Sequence, residues 1–249
     1  MSNPSIADRI KIIKDIELAQ PQTQAGAARG VVYADGEDSA AVNAGASVSF
    51  VGNITGQMKF DVLNSTLFAQ LAANKQYNRQ DETTQWYDYY KYVLETVGWN
   101  VQNFDFAYQS DANTYLTVDK LLLKLAASYL SGGELALFTA MVDALKDAKN
   151  ESAVTLFDNS SKAFKKANFQ VGVASNAQGN AMFKIGVYYY GAEQNINRVL
   201  FFTFGNQKVE FYAGNQTMLL NEDVYSQVRQ SVLDKLGDNA KDLVDNIEL

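Results

Sequence analysis

Phe169-Gln170-Val171-Gly172-Val173-Ala174-Ser175-Asn176-Ala177-Gln178-Gly179-Asn180-Ala181-Met182-Phe183-Lys184-Ile185-Gly186-Val187-Tyr188-Tyr189-Tyr190 is the stretch on which the fold turns. Phe169, Val171 and Val173 alternate, Asn176 to Asn180 is a polar break, and Phe183, Ile185, Val187 and Tyr189 resume the alternation. A period of two puts successive side chains on opposite faces of a strand, and a short Asn/Gly break between two such runs is a turn. Val199 to Phe204 is apolar on both faces, which reads as a central strand covered on both sides. Gly205-Asn206-Gln207 turns into Val209 and Phe211, and Asn215-Gln216 leads into Thr217-Met218-Leu219-Leu220. Loops this short cannot hold parallel crossovers, so the segment predicts an antiparallel meander.

Upstream the period is helical. Thr117 precedes a stripe of Val118, Leu121, Leu122, Leu125 and Tyr129. Ser131-Gly132-Gly133 turns the chain, and Leu135, Phe138, Val142 and Leu145 form a second stripe. Together they predict an αα-hairpin. Phe60, Leu63, Leu67 and Leu71 predict a helix to about Tyr77. After the polar break Asn78-Arg79-Gln80, Trp86, Tyr90, Val93, Leu94 and Val97 form the inner face of another, ending at Gly98. Val42, Ala44, Ala46, Val48 and Phe50 alternate as a strand, as do residues 101–108. Pro4 to about Ala19 reads as an amphipathic helix, followed by a small and polar linker through Gly30. Downstream, Asn221 with Glu222 and Asp223 opens a final helix through Gly237, with a turn or two beyond.

The fold class is therefore α+β: an antiparallel meander wrapped on both faces by helices and the αα-hairpin, in α/β/α-like layers. Residues 1–30 form an N-terminal helix and linker, and 31–249 a single domain.

Composition narrows the chemistry. The 249 residues include no His and no Cys, and 21 Lys and Arg face 28 Asp and Glu, a net charge of -7. Without imidazole or thiolate there is no zinc finger, haem ligand, Ser-His-Asp triad or Cys nucleophile. An acidic balance with no basic run argues against nucleic acid as a partner. No phosphate-binding, dinucleotide or calcium motif occurs. We expect no enzyme, no cofactor and no metal. No window is apolar enough for a transmembrane helix, and the opening residues lack the basic-then-apolar order of a signal peptide. That predicts cytoplasmic synthesis, with release or storage as inclusions.

Aromatics and long strands carry the remaining signals. Trp86-Tyr87-Asp88-Tyr89-Tyr90-Lys91-Tyr92 spreads rings over every face of a helix, and Tyr188-Tyr189-Tyr190 does the same along a strand. Core packing is one reading; an interfacial surface through Trp86, Tyr89, Tyr188 and Tyr190 is the other. Asp81, Glu82 and Asp88 imitate a glycosidase pair but are more simply solvated acids. Ala181 to Tyr190 and Asn197 to Gly205 match the roughly 9 to 11 residues of a bilayer-crossing strand.

Over about residues 116–220 the order and spacing resemble the Cyt-type δ-endotoxins, cytolytic insecticidal proteins. The resemblance rests on the hairpin around Leu130-Ser131-Gly132-Gly133, on Lys149-Asn150-Glu151, on Phe169 to Ala174 and on Val199-Leu200-Phe201-Phe202-Thr203. It implies a sheet wrapped by helical hairpins, lipid binding without an enzyme site, and perforation of membranes after proteolytic trimming. The implied insertion positions are Phe183, Ile185, Val187, Val199, Phe201 and Phe202, with trimming near Arg29 and Gly30. The implied partners are membrane lipid and further copies of the chain, as a homo-oligomer or inclusion. The first hundred residues do not follow the family. The alternative is a self-assembling binding or storage protein that never meets a membrane.

Overall fold

The computed structural model describes residues 4–20, 35–206, 208–237 and 242–249. Helix α1 (Ile6–Asp15) is followed by strands β1 (Ser39–Asn43) and β2 (Ala46–Phe50), then helices α2 (Gly56–Gln76) and α3 (Thr83–Val97). Short strands β3 (Trp99–Asn100) and β4 (Ala107–Tyr108) lead to helices α4 (Val118–Ala126), α5 (Gly132–Ala144) and α6 (Glu151–Ser161). Strands β5 (Lys162–Ala163), β6 (Lys166–Ala177), β7 (Asn180–Ala192) and β8 (Val209–Leu220) precede helix α7 (Glu222–Leu236) and strand β9 (Val244–Ile247).

β6, β7 and β8 are the meander, antiparallel and paired from end to end: Lys166 opposite Gly191, Ala177 opposite Asn180, Ala181 opposite Leu220, Ala192 opposite Val209. Gln178 and Gly179 make the β6–β7 turn, both with positive φ, the geometry whose twist suits a two-residue hairpin. The full order is β3-β8-β7-β6-β2-β1-β9, with β4 on β8 and β5 on β6.

Alternation along β7 assigns the layers. Phe183 lies against Trp99 and Tyr189 against Phe106, on the side of α1, α2, α3 and α7. Lys184 and Tyr188 point the other way, to Glu134 and Tyr129 of the α4–α5 hairpin, which shares that side with α6. The α+β class and the two-sided wrapping are thus as the periods predict. At Gly98 (φ 114°) α3 ends in a left-handed cap. The buried Arg9 of α1 donates to the carbonyls of Glu95 and Thr96 at that same end, a cation at the negative pole of the helix.

Five expectations are corrected. The sheet is mixed, because β2 runs parallel to β6. The short-loop argument governs only consecutive strands, and five helices lie between these two. Residues 42–50 are two strands, bent at Ala44 (φ 50°). Residues 101–108 contribute only β4. Residues 244–247 extend the sheet beside β1 where the sequence predicts more helix, and α6 has no counterpart among the predicted elements.

The fifth correction matters most for function. Val199 to Phe204 is not a strand; it forms one isolated bridge, Thr203 to Thr117. Val199 is fully buried, but its carbonyl accepts from Tyr190 Oη (3.0 Å) and its N–H donates to Asp158 (2.8 Å). The carbonyls of Leu200 and Phe202 accept from Asp119 and Val118 at the start of α4. An apolar run marks burial, and here side chains and a helix start satisfy the backbone instead of a ladder.

Candidate functional site

The site tested by the sequence reading is the sheet face beneath the α4–α5 hairpin. α4 buries Val118, Leu121, Leu122 and Ala126 and α5 buries Leu137, Phe138, Met141 and Val142, so the apolar stripes face inward. Thr117 is the N-cap residue of α4, but its hydroxyl donates to the Asp119 carboxylate. Ser131 and Glu134 form a capping box at the start of α5.

Polar contacts fasten the hairpin over the sheet. Glu134 pairs with Lys184 at 2.7 Å, both largely shielded from water. The hydroxyls of Tyr129 and Tyr188 meet at 3.1 Å. Gly186 makes that meeting possible, since a Cβ there would stand 2.1 Å from Tyr188 Oη and 2.6 Å from Tyr129 Oη. Asp119 pairs with Lys146 at 3.0 Å. Beneath lies an aromatic layer: Phe169 stacks on Tyr188 (5.3 Å) and Tyr190 on Phe211 (5.6 Å).

Burial alone would raise the Glu134 and Asp119 carboxyls. At Glu134 the donors Lys184 and Ser131, and at Asp119 the donors Thr117 and Lys146, outweigh it and hold both below their ordinary values. Groups with depressed folded pKa values contribute stability above the unfolded carboxylate range and lose it as pH falls through the folded values. Asp158, raised by burial, acts in the opposite sense. Acidification below about pH 4.5 is therefore expected to loosen the hairpin first. The check is hydrogen exchange of residues 118–144 against pH: slower exchange there in wild type than in Asp119→Asn/Glu134→Gln at pH 7, the gap closing in acid. A constant gap would refute the linkage.

The six insertion candidates do not share a face. Phe183, Ile185 and Val187 are buried toward the α2–α3 layer, whereas Val199, Phe201 and Phe202 sit in the irregular segment on the hairpin side. Lifting the hairpin would uncover the second set and leave the first covered. Among the surface-aromatic candidates Trp86, Tyr188 and Tyr190 are buried and Tyr89 is half-buried, which corrects the interfacial reading for three of the four. On α3 the rings 86, 87 and 90 form an inner stripe, while Tyr89 packs on Tyr77 and Tyr92 at the rim. Arg29 and Gly30 lie outside the described residues.

Of the three acids on α3 and just before it, Asp81 borders a recess of about 320 Å³ beside Tyr189 and Tyr212, and it is paired with Lys166 at 2.6 Å. Among the described residues no three carboxylates converge as for a metal, and no helix is long and apolar enough to cross a membrane. Sequence reasoning missed Arg79, Asn168 and Gln170, which are buried between β6 and α3. The signal was present: Asn168 and Gln170 put amides at the even positions of a strand whose neighbours cover it on both faces.

No protein family and no curated protein matches the chain. Among solved structures it is similar to the Evf virulence factor at 12% identity and a TM-score of 0.33, covering 94% of this chain and 89% of that one. It is similar to a delta-endotoxin at 10% identity and a TM-score of 0.31, covering 81% of this chain and 90% of that one. Those neighbours belong to toxin and virulence proteins, and at such TM-scores the likeness carries no argument about what this chain does.

Proposed function

We propose that the protein is a non-enzymatic, membrane-perturbing protein whose hairpin lifts off the meander to present the aromatic sheet face to lipid. The observation that supports this reading is the meander itself. Three adjacent strands of 12, 13 and 12 residues pair without a break, each longer than the roughly 9 to 11 residues that cross a bilayer core. One face carries Phe169, Val171 and Val173 beside Tyr188 and Tyr190, under a cover fastened by a few polar contacts. Lipid can replace an apolar cover, while backbone groups within the meander stay paired.

The test exploits the absence of cysteine. A Glu134→Cys/Lys184→Cys variant joined by a cleavable bis-maleimide locks the hairpin to β7. Dye release from anionic and zwitterionic liposomes is expected from the open protein, to fall at least tenfold on locking, and to return on cleavage. Equal release from locked and open protein, or none from either before and after trypsin, would sink the proposal.

One observation favours self-assembly as the second reading. Leu116 and Phe164 are 72% and 69% exposed. Each accepts a backbone hydrogen bond from the 196–204 segment, at 3.1 Å in both cases, so they flank one stretch of surface. If that stretch is a contact between copies, light scattering shows an oligomer that Leu116→Ser/Phe164→Ser dissociates. A monomer in both proteins would exclude it.

A further inference from the structure

Arg79 is 4% exposed and, among the described residues, faces no carboxylate. Its Nη1 donates to Gln70 Oε1 (2.9 Å), its Nη2 to the Gly45 carbonyl (3.1 Å), and its guanidinium lies 4.5 Å from the Trp86 ring centre. A Cβ at Gly45 would fall 2.2 Å from Nη1, so the backbone is bare where the guanidinium sits. Around it, Arg79 Nε, Tyr90 Oη and both amide atoms of Gln170 are buried without a well-formed hydrogen bond, the guanidinium lying against the Tyr87 hydroxyl and Gln170 against the hydroxyls of Tyr87 and Tyr90. Burial pushes the Arg79 pKa down. A buried cation without a counter-ion costs several kcal/mol, and orphaned buried polar atoms are rare enough to call for a cause.

Arg79 also lines a recess of about 240 Å³ between the end of α2 and the end of α6. Lys162, Asn159 and Ser160 form one wall, Asn74 and Asn78 the other, and no Asp or Glu is among the described lining residues. In a chain of net charge -7, that is a local inversion of sign. The amides are turned to donate. Asn74 Oδ1 is taken by Trp86 Nε1 (2.7 Å) and Asn78 Oδ1 by the N–H groups of Gln80 and Asp81, which leaves their NH₂ groups for an incoming acceptor.

We infer that this recess binds a small phosphate-bearing molecule, its anionic oxygens held between Arg79, Lys162 and the Asn74 and Asn78 amides. Phosphate matches the site because Arg79, Lys162 and the two asparagine amides line a space below the usual 300 to 1,000 Å³ of drug-sized pockets, and the Lys162 ammonium, which donates to the Asn197 carbonyl, has further N–H groups to give. The inference does not depend on the hairpin or on membrane activity.

The probe is glycerol phosphate, with glycerol and chloride as controls, read by calorimetry and by the melting temperature. Wild type is expected to bind and to rise in melting temperature with the logarithm of probe concentration. Asn74→Asp keeps the acceptor for Trp86 but places a carboxylate in the recess, and Lys162→Met removes the second cation. Each is expected to weaken binding at least tenfold. Arg79→Met should abolish binding while melting at or above the wild-type temperature without phosphate, because it removes an uncompensated buried charge. If Arg79→Met does not fold, the Asn74 and Lys162 variants decide the matter alone. No heat and no melting shift with glycerol phosphate or with phosphatidic-acid vesicles, or equal shifts in wild type and both of those variants, overturns the proposal. Binding to the vesicles alone assigns a lipid headgroup; binding to the soluble ester assigns a free phosphate.

Discussion

Trp86→Ala is expected to destabilise the protein by about 3–5 kcal/mol, the usual cost of deleting a large buried aromatic. The indole is fully buried, stacked on Tyr90 (5.1 Å, 17°) and edge-on to Tyr87 (4.8 Å). Its Nε1–H donates to Asn74, and its face carries the Arg79 guanidinium. The substitution removes ring contacts, leaves a cavity and strips a cation of its aromatic neighbour, so the effects combine. Against a typical domain stability of roughly 5–15 kcal/mol, that is about a fifth of the total or more. Urea unfolding followed by far-UV circular dichroism measures it. The same experiment separates the two readings of the aromatic helix, since a surface ring costs within about 0.5 kcal/mol and a structural one does not.

Arg229→Ala should cost about 3 kcal/mol through a different mechanism. Arg229 on α7 donates to both oxygens of Asp61 on α2, at 2.8 and 2.7 Å, and to Glu222 at 2.7 Å. The Asp61 side chain is 2% exposed while Arg229 is 23% exposed, so loss of the arginine strands a buried carboxylate with Gln57 as its one remaining side-chain donor among the described residues. The partial exposure of Arg229 and that remaining hydrogen bond keep the expectation at the low end of the range for broken buried pairs. Asp61→Leu in the Arg229→Ala background should recover most of the loss, since removing both partners leaves no charge stranded. A single-variant cost under about 1 kcal/mol would show that solvent screens the pair.

Why some features were legible and others were not follows from where their causes lie. The helices α2, α3, α4, α5 and α7 and the strands β6 and β7 each repeat an apolar residue at their own period, a local property that no distant contact alters. Gly98 and Asn221 were equally legible, because a helix cap is decided within a turn: Asn221 accepts from the Val224 N–H as expected. Val199 to Phe204 misled because hydrophobicity reports burial without reporting which partner satisfies the backbone. The aromatic candidates misled for a related reason: a ring on a half-turn of helix is core or surface according to what the sheet brings against it.

The candidate sites divide the same way. The hairpin's stripes were readable, but the pairing of Glu134 with Lys184 joins residues 50 positions apart, and that of Arg79 with Gly45 joins residues 34 apart. Neither spacing has a period.

By itself, then, the sequence determined the alternating strands, the helical stripes, the caps, and the removal of histidine and cysteine chemistry, because each is a matter of residue type or of neighbours within a few positions. Only the tertiary structure decided that β2 runs parallel to β6, that Trp86, Tyr188 and Tyr190 are core, that the insertion candidates fall on opposite faces, and that a buried arginine facing no carboxylate among the described residues lines a recess. Those outcomes depend on which surfaces meet across long stretches of chain, and the free energy of burial acts on surfaces that meet, whatever their separation in sequence.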